Sequence, residues 1–428
     1  MFHTFPLRTH APSYIVKIWT DKNYPIIISC AKELSRWTEQ EVRQMGYSTI
    51  EVTHNTVVIR GSMRDMMRLN LHLRTAHRVL VPLLRTQCRN IRDLYQAAFS
   101  IDWENLLEAD GYFSVSSIVH NFTIRDTRLP SLYTKDAIAD RMREKCHRRP
   151  DSGGENRGAA VFVYWEEDEV IIYLDTSGEP LSKRGYRKIP GSAPMQETLA
   201  AACLMAMGWD RKSPFISPMC GSGTPAIEAV MMALNRAPGN LKGHFAFQSI
   251  KGYQRIIAGE SAPRVAPRQR AGASPEQIWK EMVLEAKDKE NTESIPKIIA
   301  TDISPEAVDN AHSNAIAAGV AEYIEFKACD FAETPIPEEK GWIFFNPEYG
   351  IRLGTVEELD PLYRRMGTFM AEKCSGWTGS LITGNPDLAR VVDLYYKKRI
   401  PFFNGPIDCR LFIYEGCEVK GLERAENK

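Results

Sequence analysis

The period of apolar positions changes several times along the chain. Tyr14–Lys17 and Pro25–Ser29 read as strands, and Ala31, Leu34, Val42 and Met45 then fall at helical spacing with Gly46 as a stop. Thr56–Ile59 is a further strand, so residues 1–60 are expected to form a small α+β region. Ser62 followed by Asp65 has the pattern of a capping box, opening a helix that runs to about Leu73. Lys135–Asp140 opens another helix. Beyond a turn-rich loop, Pro150 to Gly158, come two strand-like runs, Ala159–Tyr164 and Val170–Leu174. A second α+β domain is therefore expected over 61–180.

Thr176–Pro194 is rich in Gly, Pro and Ser and reads as a linker. Strands and helices then alternate: helix 195–207, strand 215–217, helix 225–234, strand 297–301, helix 305–318, strands 324–327 and 342–345. That order predicts an α/β, Rossmann-like domain over 190–428, with a mainly parallel sheet and helices on both faces. The end differs. Ser380–Thr383 is a strand and Pro386–Tyr395 a helix. Ile400–Phe403 and Leu411–Tyr414, joined through Asn404-Gly405, read as an antiparallel addition. Residues 252–294 break the alternation, are basic around Arg264–Arg270, and are expected to be an insertion.

The length of 428 residues fits this reading of two or three domains. Net charge is zero, which excludes a polyionic tail but not nucleic acid, since phosphate binds a local basic surface. Such a surface is suggested by eight arginines between Arg60 and Arg92, opposed within that span only by Asp65. Arg64 and Arg68 share a helix face, and Arg74 and Arg78 follow. Lys183, Arg184, Arg187 and Lys188 add charge to the linker. No uncharged apolar run is long enough to cross a bilayer, and the N-terminus lacks a secretory pattern. Nine scattered cysteines include no C-x-x-C pair or Cys/His cluster, so no metal site and no disulfide framework are expected. A cytoplasmic location is expected.

Four segments carry the chemistry. Phe215–Pro225 is a strand, a glycine turn and a helix start, with Gly221 and Gly223 allowing close approach of a ligand to backbone. A lone Gly-x-Gly is more often only a tight turn. Gly221, Gly223 and Ala226 also match the dinucleotide fingerprint, but Asp302, the best ribose acid, lies 79 residues beyond Gly223, too far for that compact unit. Asp302 ends a second strand and is placed to accept from ribose hydroxyls, or else belongs to a helix cap. Asp330 ends the next strand and can meet an adenine amine, although a solvated loop acid is the commoner case. Asn346-Pro347-Glu348-Tyr349 follows a buried-looking strand. A conjugated amine is a poor nucleophile because its lone pair is delocalised. An Asn oxygen and the Pro347 carbonyl, each accepting one N–H, can hold that nitrogen pyramidal, while an aromatic face stacks the base.

In this order the motifs resemble a class I S-adenosylmethionine-dependent methyltransferase of the amino-methylating type. Ala193–Ala202, Pro218–Thr224 and Ile227-Glu228-Ala229 are similar to the THUMP-containing guanine-N2 RNA methyltransferases. So are Asn70–Ala76, Ile101-Asp102-Trp103, Leu174–Leu181, Thr383-Gly384-Asn385-Pro386 and Cys409-Arg410-Leu411. The resemblance implies an N-terminal ferredoxin-like region, a THUMP domain and a methyltransferase domain. It implies S-adenosylmethionine as cofactor, held by Glu197, Pro218, Cys220, Gly221, Gly223, Asp302, Ile303, Asp330 and Asn346. Asn346, Pro347 and Tyr349 would hold the target amine. Structured RNA, with large-subunit ribosomal RNA foremost, is the implied partner, and Arg64, Arg68, Arg74, Arg78, Lys183, Arg184 and Arg187 its expected contacts. Two positions depart from the family pattern: Ser217 replaces an acid before the glycine loop, with Glu197 as a substitute partner for the donor, and Glu348 replaces a second proline. Cys220 sits in the donor loop and is not expected to act as a nucleophile. A transfer RNA methyltransferase, a DNA adenine methyltransferase and a non-catalytic RNA-binding assembly factor remain alternatives on sequence alone.

Overall fold

The computed structural model describes residues 23–121, 124–155, 157–188, 195–253, 274–348 and 356–419. The expected strand at Tyr14–Lys17 and the basic stretch Arg264–Arg270 lie outside the described residues. The chain divides into two compact units. The first takes Met1–Cys30, Glu39–Leu181 and Lys242–Glu285, and the second takes Ala31–Thr38, Ser182–Leu241 and Ala286–Lys428.

The first unit contains β1 (Tyr24–Cys30), most of α1 (Ser35–Gln44), β2 (Thr49–Val52), β3 (Thr56–Gly61), α2 (Met63–His72) and β4 (Ala76–Gln87). The sheet order β2-β3-β1-β4 over this βαββαβ sequence is the ferredoxin-like arrangement. The capping box is present as read: Asp65 N–H donates to Ser62 Oγ and the Asp65 carboxylate accepts from Ser62 N–H. Next come α3 (Ile91–Phe99), β5 (Tyr112–His120), α4 (Leu129–Cys146), β6 (Asp151–Ser152), β7 (Ala159–Glu166) and β8 (Glu169–Asp175). β4 pairs with β8, which joins both halves into one eight-stranded sheet, β2-β3-β1-β4-β8-β7-β5-β6. One face of its central strands, with Ile26, Ile28, Val57, Ile59, Val161, Val163, Ile172 and Leu174, is completely buried. The helix read from Ser62 to about Leu73 is α2, and the part of the arginine-rich span beyond it, for which no element was read, is largely the long strand β4, where Arg78 and Arg85 are strand residues.

Lys242–Glu285 follows Ser182–Leu241 in sequence yet packs in the first unit. Phe247 N–H donates to the Thr176 carbonyl at 3.1 Å, and Lys251 N–H to the Leu106 carbonyl at 2.8 Å. Trp279, on α7 (Pro275–Asp288), meets Phe245 and Phe247 edge-on, with ring centroids 5.3 and 5.0 Å away. In return, Ala31–Thr38 belongs to the second unit, where Trp37 lies 6.4 Å from the Phe402 ring.

The second unit is built from α5 (Glu197–Met207), β9 (Phe215–Ser217), α6 (Thr224–Ala233), β10 (Ile298–Asp302), α8 (Pro305–Ala318), β11 (Ile324–Ala328) and β12 (Trp342–Phe345). It continues through α9 (Val356–Lys373), β13 (Thr378–Thr383), α10 (Pro386–Val391), β14 (Lys398–Asn404) and β15 (Ile407–Glu415). The sheet order is β11-β10-β9-β12-β13-β15-β14. β9–β13 are parallel, and β15 and β14 form the expected antiparallel end. The core includes Ile216, Ile343, Phe345, Tyr363, Met366, Phe369, Leu381 and Tyr414. β9 has β10 on one side and β12 on the other, so strand order reverses there. Ligand crevices of open α/β sheets lie at the carboxyl ends of strands at such a switch point.

Candidate functional site

Strand register places the four motifs at one end of this sheet. Ile343 pairs with Ile216, Ala300 with Ser217, and Asp302 with Ala328. Counting forward along parallel strands, Met219 and Asn346 are level. Asp302 lies beside the same turn, and Asp330 follows two residues after Ala328. The loops after β9, β10, β11 and β12 therefore emerge together at the switch point.

The glycine turn is fastened to the acid. Gly221 N–H donates to Asp302 Oδ2 at 2.9 Å, Cys220 N–H donates to the Thr301 carbonyl at 2.9 Å, and Ser304 N–H donates to Asp302 Oδ1 at 3.1 Å. The two glycines differ. Gly223, at φ +82°, would place a Cβ 2.9 Å from that of Ala311, whereas Gly221, at φ +51°, faces open space. Gly223 thus serves helix packing, and Gly221 leaves room at the crevice. Ile303, next to Asp302, is 73% exposed, the most exposed large hydrophobic side chain among the described residues. Pro218 is buried. Cys220 is also buried, and burial first, then the Asp302 charge, pushes its thiol far above the ordinary range. It is therefore no thiolate nucleophile. Open space at Gly221, a partly accessible carboxylate at Asp302 and an exposed apolar side chain beside it fit the turn, ribose and base of a nucleoside cofactor.

Glu197 lies at the first turn of α5, buried, with Oε1 3.4 Å from Arg187. Burial raises its carboxyl, against the opposing charge of Arg187. Asp330 is differently placed. Arg365 Nη2 lies 2.8 and 2.9 Å from its two oxygens, and Ala332 N–H donates to Oδ1 at 2.9 Å. Burial tends to raise this carboxyl, but the Ala332 amide and Arg365 together hold it below its ordinary value. The Arg365 guanidinium also lies 4.9 Å over the Phe331 ring.

Asn346 follows β12, with Pro347 buried and Glu348 exposed. Its Oδ1 is buried and accepts no hydrogen bond among the described residues, which is uncommon because an unmet buried acceptor costs about 1–3 kcal/mol. Such an atom is satisfied when a donor enters the crevice. Tyr349 lies outside the described residues. Ser217, which departs from the family pattern, is 1% exposed.

The arginine expectations need correction. Arg64 and Arg68 are exposed on α2, with Arg68 5.7 Å over the Tyr47 ring, and Lys183 is exposed. Arg184 is not a surface residue. It is 1% exposed, lies 3.4 Å from Glu228, which also accepts from Tyr186 Oη at 3.1 Å, and so belongs to a buried ion pair. Arg187 is tied to Glu197, to the Met195 carbonyl and, at 3.1 Å, to Thr224 Oγ1. Arg74 is buried beside Glu41, which accepts from its backbone N–H at 2.9 Å. Arg78 pairs with Asp175 and the Gly178 carbonyl. The guanidiniums of Arg78, Arg184 and Arg187 thus meet partners within the fold, and Arg74 is buried in it. Local charge density in the sequence carried no information about burial.

Sequence reasoning passed over α9 entirely, and with it Tyr363 and Arg365. Its period was legible: Leu359, Tyr363, Met366, Phe369 and Met370 form a helical apolar stripe, all buried. Among the described residues no helix is long and apolar enough to cross a membrane, and no cluster of side chains suited to a metal is found.

Residues 184–413 match the RMKL-like methyltransferase domain, 25–80 the RlmL ferredoxin-like domain, and 88–175 the THUMP domain. Among solved structures, SMU.472 complexed with SAH is 26% identical, with a TM-score of 0.78 over 94% of this chain and 100% of that one. A predicted N6-adenine-specific DNA methylase from Listeria monocytogenes str. 4b F2365 is 28% identical, with a TM-score of 0.77 over 92% of this chain and 97% of that one. TrmN from Thermus thermophilus, 18% identical with a TM-score of 0.62 over 92% and 100%, shares the fold.

Proposed function

This chain belongs to the THUMP-containing rRNA guanine-N2 methyltransferase (RlmL-like) family, and on that premise we propose that it methylates the exocyclic amine of a guanine in structured RNA, with large-subunit ribosomal RNA the favoured substrate. It is an S-adenosylmethionine-dependent methyltransferase. The observation that supports transfer to an exocyclic amine is the buried Oδ1 of Asn346 at the switch point, unmet among the described residues.

Bound S-adenosylmethionine supplies an already activated methyl group. The chain's own residues bind and aim. Pro218, Gly221 and Gly223 shape the turn against which the cofactor lies, with Cys220 packed behind it. Asp302 accepts from ribose hydroxyls, Ile303 covers one face of the adenine, and Asp330 faces its amine. Glu197 stands near the donor's amino acid end, where Ser217 offers no acid. Asn346 Oδ1 accepts one N–H of the target amine and the Pro347 carbonyl the other, leaving the nitrogen lone pair directed at the methyl carbon. Tyr349 stacks the base. The proton of the methylated amine leaves to solvent, so catalysis rests on positioning.

The first unit offers exposed Arg64 and Arg68 to RNA phosphates, with Lys183 adding charge from the second. Asn346→Ala is expected to abolish methyl transfer while leaving RNA binding intact. The assay offers unmodified large-subunit RNA, transfer RNA and duplex DNA in parallel, with mass spectrometry of the product nucleoside. Methyladenine in DNA, or an active Asn346→Ala enzyme, would overturn the proposal.

A further inference from the structure

Tyr363 and Arg365 stand two residues apart on α9, and each reaches a different loop of the site. Tyr363 is fully buried. Its hydroxyl donates to the Glu348 carbonyl at 2.8 Å and lies 3.2 Å from Thr383 Oγ1. Thr383 Oγ1 in turn accepts from Asn385 N–H at 3.0 Å. Because Tyr363 O–H goes to the Glu348 carbonyl, Tyr363 Oη is left to accept from Thr383 O–H, whose other acceptor in reach is the more distant Asn385 carbonyl at 3.4 Å, and Thr383 Oγ1 itself accepts from Asn385 N–H. Buried hydroxyl chains of this kind polarise one another and favour a single geometry.

We propose that this chain makes Tyr363 and Thr383 positioning residues for the turn that holds the target amine. This rests on the reading of Asn346 given above. Pro347 has a fixed φ and restricts the residue before it, so Asn346 has little freedom of its own. The freedom left is a paired rotation about Pro347 ψ and Glu348 φ, which swings the peptide between them and with it the Pro347 carbonyl, the second acceptor for the amine. The Tyr363 hydrogen bond removes that freedom. It also accounts for the Thr383-Gly384-Asn385-Pro386 segment, whose Thr carries the relay and whose Asn385 caps α10 by accepting from Asp387 and Leu388 N–H. On the same helix, Arg365 Nη2 bonds both oxygens of Asp330, the residue proposed to meet the adenine amine, and so fixes that carboxylate. One rigid element thus registers the amine side of the crevice against the cofactor side.

The blander account makes Tyr363 a core aromatic whose hydroxyl has merely found an acceptor. The full chain distinguishes the two through Tyr363→Phe, Thr383→Val, Thr383→Ser and Arg365→Ala, assayed on the RNA that the parent protein methylates. Tyr363→Phe keeps the ring. It and Thr383→Val are expected to lower kcat by about tenfold to a hundredfold, with the KM for S-adenosylmethionine held within about twofold. Thr383→Ser restores the hydroxyl and is expected to act like the parent. Arg365→Ala is expected to raise the cofactor KM several-fold at unchanged kcat. Parental kcat in Tyr363→Phe overturns the proposal, as does a loss in every variant that tracks melting temperature. Should Asn346→Ala be inactive while Tyr363→Phe turns over normally, the proposed function stands and only this inference fails. An active Asn346→Ala removes both.

Discussion

The backbone N–H of Gly221 donates to Oδ2 of Asp302 at 2.9 Å, so the turn after β9 is held by the acid that ends β10. Asp302 therefore has two duties, one to the loop and one, as proposed, to the ribose. Asp302→Ala removes a hydrogen bond to a charged acceptor and the ribose contact together. Cofactor Kd is expected to rise about tenfold to a hundredfold, read by calorimetry, with RNA affinity unchanged.

Gly221 and Gly223 are expected to fail differently. Gly223→Ala forces an unfavourable backbone and a contact with Ala311, and should lower unfolding stability by about 2–4 kcal/mol. Gly221→Ala meets no neighbour and should cost only about 1 kcal/mol of stability. It should nonetheless weaken cofactor binding, because its methyl group occupies the crevice. Denaturant melts and calorimetry on both variants check the split.

Removing Arg184 strands the buried Glu228 carboxylate, and Arg184→Ala is expected to destabilise the protein by about 3–5 kcal/mol. Its effect on the salt dependence of RNA binding should be nil. Arg64→Ala should do the reverse, leaving melting unchanged, and Arg64→Ala and Arg68→Ala should each lower the slope of log K against log salt by about one. Filter binding across a salt series would expose the opposite pattern.

Two groups at the crevice keep their charge state near neutrality, whereas burial raises the Glu197 carboxyl. Burial keeps the Cys220 thiol protonated, and Asp330 stays ionised because the Ala332 amide and Arg365 outweigh its partial burial. The Asp330 pair contributes its stabilisation above the ordinary carboxylate range and loses it only as pH falls through the lowered value. Single-turnover methyl transfer is expected to be flat from about pH 6.5 to about pH 8.5. Cys220→Ala should retain activity, and a bell-shaped profile would argue for a titrating base.

The repeating strand–helix pattern from Phe215 to Phe345 was legible because buried parallel strands are short, continuous apolar runs between helices of clear period. The first unit was harder. β5 alternates half-buried serines with Val115 and Ile118, and β4 carries polar residues at several positions, so neither resembles a core strand until its neighbours are known. Site residues at strand ends could be found by order. Tyr363 and Arg365 could not, since a buried hydroxyl and a surface guanidinium become informative only through what they touch. Arg184 failed for the converse reason: its partner Glu228 lies 44 residues away.

Phe245, Phe247 and Trp279 come late in the chain yet complete the packing of the first unit. During translation, that unit cannot finish folding until the nascent polypeptide has emerged past Glu285, well into the following domain. Cutting the gene between the two halves at residue 182 would leave the upstream product with an uncovered aromatic seat and the downstream product with a sticky segment that has nowhere to dock. The polypeptide is thereby expected to reach its native state only with both halves on one chain.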